Sequence, residues 1–231
     1  ALRVLEEFLD NGNEIKELRY ESYLLEKKIY QKLKLKLSFE KDLYVLSDSV
    51  KTLKKAIDDG AAIVQLRDKS ENKDLIYKKA IELVKYKKIK DFIFILNDDS
   101  ELALKVGADG VHIGQKDGCI KEVRKIVGDN FIIGRTTNCL ELGLKAQQEG
   151  ANYISVGPIY PTPAKPDKLG IGLDYIRQAS AKISIPFVTI GGIDLTNVKQ
   201  VLEAGATTVG IIRAADKTKE MLEMIKIYSL K

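Results

Sequence analysis

The sequence predicts a (β/α)8 (TIM) barrel with an N-terminal helical extension. From residue 42 onward, short apolar runs alternate with longer charged, amphipathic segments. Continuous apolar strands that alternate with helices are typical of a parallel sheet covered on both faces. Eight such units in about 190 residues match the number and size of a compact barrel. A doubly wound open sheet is the rival architecture, but it normally has fewer strands, and no G-x-G-x-x-G follows the first run.

The first 40 residues are predicted to form a helical extension, separate from a barrel domain at residues 41–231. Apolar residues recur at helical spacing over residues 2–9 and again over 18–33, and the tract DNGNE between them breaks the pattern. This predicts two helices in a hairpin. The next stretch, KLKLKLSFE, alternates strictly and fits either a short strand or a helix tail. The purpose of the extension stays open between covering the barrel bottom, self-association into a homo-oligomer, and a remnant of a larger chain.

The eight predicted strands follow one another at regular intervals. They are LYVL (43–46), AAIVQL (61–66), FIFIL (92–96), GVHI (110–113), FIIG (131–134), YISVG (153–157), FVTI (187–190) and TVGII (208–212). Helix-like segments follow them, such as KDLIYKKAIELVKY (73–86), LELGLKAQQEG (140–150) and TNVKQVLEAG (196–205). In three places a helix reaches a glycine, an alanine follows and a new strand begins, which predicts left-handed C-caps at Gly107, Gly150 and Gly205.

Composition favours a cytoplasmic protein without membrane or nucleic-acid partners. No apolar run approaches the roughly 18 residues that a membrane helix needs, and the acidic, amphipathic N-terminus shows no secretory signal. The net charge of +5 is modest, and no compact Arg/Lys block with interleaved aromatic residues appears. Cys119 and Cys139 have neither metal nor redox spacing, so we expect reduced thiols.

Polar residues and glycines collect where the predicted strands end. They are Gln65 and Arg67-Asp68-Lys69, Asn97-Asp98-Asp99, Gly114-Gln115-Lys116-Asp117, Arg135-Thr136-Thr137-Asn138, Thr162 and Lys165, Gly191-Gly192, and Arg213. The carboxyl ends of barrel strands share one rim, so these groups are predicted to converge there. Cations, two separated carboxylates and a glycine pair suit an anionic, phosphorylated ligand with Mg²⁺.

Each of these residues also has a simpler interpretation when taken alone. Asn97-Asp98 could cap the next helix, and Gly191-Gly192 could be a turn. His112, the only histidine, lies inside an apolar strand, which favours a structural role. The prediction of a ligand site therefore depends on their joint placement on one rim.

The segment VGPIYPTPAKPDKLG (156–170) holds four of the five prolines in the chain. Proline fixes φ and removes a backbone donor, so this segment is predicted to be a stiff loop. Because proline restricts the unfolded loop, it lowers the cost of ordering Thr162 and Lys165.

Six motifs together resemble the thiamine-phosphate synthase family and its thiazole tautomerase relatives. They are AIVQLRDK, LNDD, ADGVHIGQKD, YISVGPIYPTPAKPD, TIGGI and AGATTVGI, and they occur in order over about residues 42–215. The resemblance implies an enzyme that joins a hydroxymethylpyrimidine diphosphate to a thiazole phosphate, with release of pyrophosphate. It also implies a barrel and Mg²⁺ as the cofactor.

Residue roles follow from the same resemblance. Gln65, Arg67, Lys69 and Asn97 would bind the pyrimidine diphosphate, Asp98 and Asp117 the Mg²⁺, and Lys165 the pyrophosphate. Thr162, Gly191, Gly192 and the end of the eighth strand, with Ile212 and Arg213, would bind the thiazole phosphate. Catalytic roles would belong to Arg67, Lys69, Thr136 and Lys165.

The chain departs from the usual family pattern at four positions. Thr136 replaces a serine and keeps a hydroxyl, whereas Asn138 replaces a histidine that tautomerase relatives use to move protons. Ala164 replaces a threonine, and Arg213 stands where serine is common. Synthase activity is the function predicted. A tautomerase-like relative and a catalytically silent phosphate-binding or regulatory module are the alternatives.

Overall fold

A computed structural model describes residues 17, 18, 20–23, 25, 29, 39, 42–163 and 169–229. Its eight strands are all parallel and close into a barrel in the sequential order β1 to β8. This confirms the predicted fold class. The chain divides into two compact units, Ala1–Leu37 and Ser38–Lys231. The described residues between 17 and 29 are helical, while most of the predicted helical hairpin and of KLKLKLSFE lies outside the described residues.

The strands coincide closely with the apolar runs. They are β1 (Asp42–Ser47), β2 (Ile63–Leu66), β3 (Ile93–Asn97), β4 (Gly110–Ile113), β5 (Ile132–Thr137), β6 (Tyr153–Val156), β7 (Phe187–Ile190) and β8 (Thr208–Ile211). One prediction was wrong here, because Arg135, Thr136 and Thr137 belong to β5 and do not follow it. All three pair with β6, and Arg135 also pairs with Ile113 of β4.

A helix follows each strand. The helices are α1 (Val50–Asp58), α2 (Lys73–Tyr86), α3 (Ser100–Val106), α4 (Ile120–Val127), α5 (Leu140–Gln148), α6 (Asp174–Lys182), α7 (Val198–Glu203) and α8 (Thr218–Ser229), the last preceded by a 3₁₀ turn at Ala215–Lys217. Side chains satisfy the first free backbone N–H groups of several helices. Asn72 accepts from Leu75 N at 3.0 Å, for example, and Asp99 from Leu102 N at 2.9 Å.

Glycines with positive φ terminate three of these helices as predicted. Gly107, Gly150 and Gly205 have φ values of 76°, 91° and 104°. The backbone therefore turns into the next strand within a few residues. None of the helices formed by the described residues is long and apolar enough to cross a membrane.

Two packing layers follow from the alternation of side chains along each strand. Outward-facing residues such as Val45, Val64 and Leu96 pack with helix residues such as Leu53 and Leu83 in one continuous hydrophobic core. The inward layer is different, because it contains Tyr44, Gln65, His112 and other polar groups that face a cavity.

The interior has room for a tyrosine because of one glycine. Gly134 on β5 pairs with Tyr153 on β6, and a Cβ at Gly134 would lie 2.1 Å from Tyr153 Cζ. Phe39 is also buried and packs against the Tyr153 ring, with centroids 4.7 Å apart. The absent side chain at 134 therefore allows the ring of Tyr153 to lie across the inside of the barrel.

Candidate active site

A cavity of about 350 Å³ lies at the carboxyl ends of the strands. Nine of the residues predicted from the sequence line it: Gln65, Arg67, Asn97, Thr136, Thr162, Gly191, Gly192, Ile212 and Arg213. They come from six different strands or the loops that follow them. The barrel therefore gathers into one space residues that are up to 148 positions apart in the chain, from Gln65 to Arg213.

Two arginines face this cavity from neighbouring parts of the rim. Arg67 follows β2 and Arg213 follows β8, and both strands pair with β1. Among the described residues, neither guanidinium forms a hydrogen bond or a close ion pair. Hydrogen bonds from Thr196 hold the pKa of the Asp194 carboxyl below its ordinary value, and the charge of Arg213 lowers it a little further. Two guanidinium groups without close partners in one cavity are suited to an anionic ligand.

The glycine pair allows the loop after β6 to pack on the end of β7. A Cβ at Gly191 would lie 2.4 Å from Pro158 Cα, and one at Gly192 would lie 2.9 Å from the Pro161 carbonyl oxygen. Tyr160 N donates to the Gly191 carbonyl at 3.0 Å. This contact places Thr162 in the cavity wall. Ala164 and Lys165 lie outside the described residues.

Asp98, Asp117 and Lys69 form a charged group near the cavity without lining it. Lys69 Nζ lies 2.5 Å from Asp98 Oδ2, and Asp117 Oδ2 accepts from Gly114 N at 2.7 Å. Burial raises the pKa of the Asp98 carboxyl, and the nearby Asp117 carboxylate raises it further, whereas Lys69 acts in the opposite direction. Asp98 has a φ of 65°, a conformation that aspartate adopts more readily than most residues.

This carboxylate pair is chemically suited to Mg²⁺. The described residues contain no group of three or more His, Cys, Asp or Glu side chains that could hold a metal. Magnesium, however, usually takes one or two carboxylates and completes its octahedron with water and phosphate oxygens. The pair fits a magnesium ion that binds together with a phosphorylated ligand.

A chain of buried polar side chains crosses the barrel beneath the cavity. Gln65 Nε2 donates to Tyr44 Oη at 2.8 Å, and Tyr44 Oη lies 2.8 Å from Tyr153 Oη. His112 Nδ1 lies 2.9 Å from Tyr153 Oη, and its Nε2 lies 2.9 Å from Thr136 Oγ1. Gln65 Oε1 is buried and has no hydrogen-bond partner among the described residues. Burial raises the pKa of both tyrosines, so their hydroxyls stay protonated.

Several residues of the site were not predicted. Tyr44, His112, Ser155 and Asp194 all line the cavity. The sequence favoured a structural role for His112, and its ring is buried in the barrel as that role requires. The ring also hydrogen-bonds to Thr136, a residue of the cavity wall. Position was an available signal for His112 and Ser155, each of which is the last residue but one of its strand, whereas Tyr44 lies in the first half of β1.

Comparison with known proteins gives consistent results. A family model described as thiamine monophosphate synthase matches residues 40–215. The thiamine-phosphate synthase of Synechocystis sp. is 40% identical over 232 residues, covering 94% of this chain and 66% of that protein. The thiamine-phosphate synthase of Shouchella clausii is 45% identical over 166 residues, covering 71% of this chain and 79% of the other. The chain thus spans just under two thirds of the length of the Synechocystis relative.

Solved structures give a similar result. Thiamine phosphate pyrophosphorylase from Pyrococcus furiosus superposes with a TM-score of 0.76 at 30% identity, covering 84% of this chain and 100% of that one.

Proposed function

The chain belongs to the thiamine monophosphate synthase family, and we propose that it is a Mg²⁺-dependent thiamine-phosphate synthase. Its substrates would be 4-amino-2-methyl-5-hydroxymethylpyrimidine diphosphate and 4-methyl-5-hydroxyethylthiazole phosphate, or the carboxylated form of the latter. Its products would be thiamine phosphate and pyrophosphate.

One observation carries this proposal: Arg67 and Arg213 face the same cavity without close partners among the described residues. The two substrates each bring phosphate groups to that cavity. Arg67, which directly follows β2, is assigned to the diphosphate. Arg213 and the backbone of the Gly191-Gly192 turn are assigned to the thiazole phosphate.

The proposed reaction separates charge. The C–O bond to the diphosphate breaks, its electron pair leaves with pyrophosphate, and a pyrimidine-methylene cation remains. The thiazole nitrogen then supplies its lone pair to that carbon, so no proton is transferred and no protein nucleophile is required. Arg67 and Lys69 would stabilise the developing negative charge, and Lys165 is assigned to the same group from sequence alone.

Other residues would bind and orient the substrates. Gln65, Asn97 and Thr136 line the cavity. We assign the two amide groups to the pyrimidine and the Thr136 hydroxyl to a position between the two substrates. Mg²⁺, held by Asp98 and Asp117, would neutralise part of the diphosphate charge. Because both substrates are held in one cavity, orientation supplies much of the rate enhancement.

The test is pyrophosphate release from both substrates, with and without Mg²⁺. Release that requires both substrates and the metal supports the synthase. Isomerisation of the thiazole carboxylate alone would indicate the tautomerase-like alternative, although Asn138 cannot move protons as a histidine does. Binding without conversion would indicate the silent phosphate-binding module.

A further inference from the structure

The buried polar chain beneath the cavity has a direction, which follows from counting donors. Gln65 Nε2 can only donate, so Tyr44 Oη accepts from it. The Tyr44 hydroxyl is fully buried, and its one remaining hydrogen-bond partner among the described residues is Tyr153. An unsatisfied buried hydroxyl is costly, so Tyr44 donates to Tyr153.

The same reasoning fixes the next two links. Tyr153 Oη accepts from Tyr44, so its own hydrogen is donated to His112 Nδ1. An imidazole nitrogen that accepts carries no proton, so the proton of neutral His112 is on Nε2. Nε2–H then donates to Thr136 Oγ1 at 2.9 Å. The Thr136 hydroxyl hydrogen is left to point into the cavity that this residue lines.

We propose that Tyr44, Tyr153 and His112 are positioning residues that couple Gln65 to Thr136 across the barrel. The cavity then presents an acceptor at one end, the Gln65 amide oxygen, and a donor at the other, the Thr136 hydroxyl. The two ends are not independent. If the Gln65 amide turned over, every hydroxyl in the chain and the tautomer of His112 would have to reverse.

This coupling selects ligands by hydrogen-bond polarity. A ligand must offer an N–H or O–H group to Gln65 and a lone pair to Thr136. The buried Gln65 oxygen without a partner among the described residues is the independent sign of such a ligand, because a buried acceptor is destabilising until a ligand donates a hydrogen bond to it. The polarity is a property of the protein itself and holds whichever reaction the cavity serves.

His112 is the only histidine in the chain, so one imidazole reports the direction of the whole network. The untagged protein would be labelled with ¹⁵N-histidine and its two ring nitrogens observed by NMR. We expect Nε2 to resonate as a protonated nitrogen and Nδ1 as an unprotonated one. The opposite tautomer in the unsubstituted protein would overturn the proposal.

A substitution three hydrogen bonds away from His112 supplies the second test. In Gln65→Glu the carboxylate can only accept, so Tyr44 must turn its hydrogen towards it and the chain must reverse. Burial should raise the pKa of the introduced carboxyl, so we expect it to ionise between about pH 6 and 9. As it ionises, the proton of neutral His112 should move from Nε2 to Nδ1. Unchanged imidazole signals over that range, in a variant with wild-type circular dichroism, would contradict the coupling.

Two matched variants distinguish an effect passed along the hydrogen-bonded chain from a direct electrostatic effect of the new carboxylate on His112. Adding Tyr44→Phe to Gln65→Glu removes the relaying hydroxyl, and the wild-type tautomer should return. Gln115→Glu places a carboxylate beside Thr136 but outside the hydrogen-bonded chain, since among the described residues Gln115 Nε2 donates only to the Thr136 carbonyl oxygen. It should leave the tautomer unchanged, and a reversal there would show that charge alone is responsible.

Discussion

The ammonium group of Lys69 lies 2.5 Å from the Asp98 carboxylate, beside a second carboxylate on Asp117. Our proposal assigns Lys69 to the diphosphate and Asp98 to the magnesium ion. In the structure, the proposed diphosphate-binding residue, Lys69, therefore neutralises the proposed metal ligand, Asp98. Both side chains are partly exposed, at 56% and 33%, so the pair can separate at small cost.

Replacing Lys69 should strengthen metal binding while weakening turnover. In Lys69→Met the carboxylates lose their competing cation, so Mn²⁺ should bind about threefold to fivefold more tightly without substrates, the equivalent of an exposed ion pair. The measurement is Mn²⁺ titration by electron paramagnetic resonance. Lys73→Met is the control, because Lys73 pairs with Asp99 at 2.9 Å. Equal metal affinity in all three proteins would remove Asp98 from the proposed metal site.

Arg213 should matter for one substrate and not for the other. A hydrogen bond to a charged group contributes about 1.5–3 kcal/mol, so Arg213→Ser should raise the KM for thiazole phosphate about 10-fold to 100-fold. The KM for the pyrimidine diphosphate should stay nearly constant. Arg177→Ser serves as control, since Arg177 pairs with Asp174 at 2.6 Å away from the cavity. If both KM values rise equally, the assignment of Arg213 to the thiazole phosphate is wrong.

Gly191 should tolerate alanine less well than Gly107. Both have positive φ, but an added Cβ at Gly191 would collide with Pro158, whereas nothing lies within 4 Å at Gly107. We expect Gly107→Ala to cost about 1 kcal/mol of unfolding free energy, and Gly191→Ala about 2–4 kcal/mol because overpacking is added. Urea denaturation measures both. Similar losses would mean that the loop after β6 moves aside freely.

The stability of the barrel should depend on the charge of Asp42. Burial raises the pKa of its carboxyl from 3.8 to about 6, against the opposing hydrogen bond from Leu43 N. Because the folded state holds its proton more tightly, this group lowers stability as the pH rises from about 4 through 6. Asp42→Asn should therefore be more stable than the unsubstituted protein above pH 6, by up to about 3 kcal/mol, with no difference below about pH 4.

Asp68 provides a control of opposite sign. Lys79 donates to it at 2.6 Å and holds its pKa at about 2. Its ionised form stabilises the fold above its unfolded pKa, and that contribution is lost as the pH falls through about 2. Asp68→Asn should be destabilising at pH 7. Thermal denaturation across pH compares the two variants, and the same sign for both would contradict these assignments.

The fold was predictable because buried parallel strands leave continuous apolar runs. The same feature concealed part of the site. An apolar run does not separate residues that face the helices from those that face the interior, so Tyr44 and His112 were not recognised as cavity residues. Their partner Tyr153 is 109 positions from Tyr44, and only the closed barrel brings them together.

Polar residues at the end of β5 were misassigned for a related reason. Arg135 and Thr136 looked like loop residues because they are hydrophilic. Arg135 is buried, however, and donates to the Gly118 carbonyl at 2.7 Å. A strand can continue through polar residues when their side chains find hydrogen-bond partners or face a cavity, and a search for apolar runs overlooks such positions.

The loop after β6 returns to its own starting point. Ile171 N donates to the Pro158 carbonyl at 2.8 Å, and Gly172 N to that of Ile159 at 3.1 Å. The two flanks of the loop are thus hydrogen-bonded to each other close to the barrel. The loop's two ends are therefore anchored at the barrel rim, and the sequence between those ends, which includes Thr162 and Lys165, is the part of the loop where changes are expected to alter substrate preference.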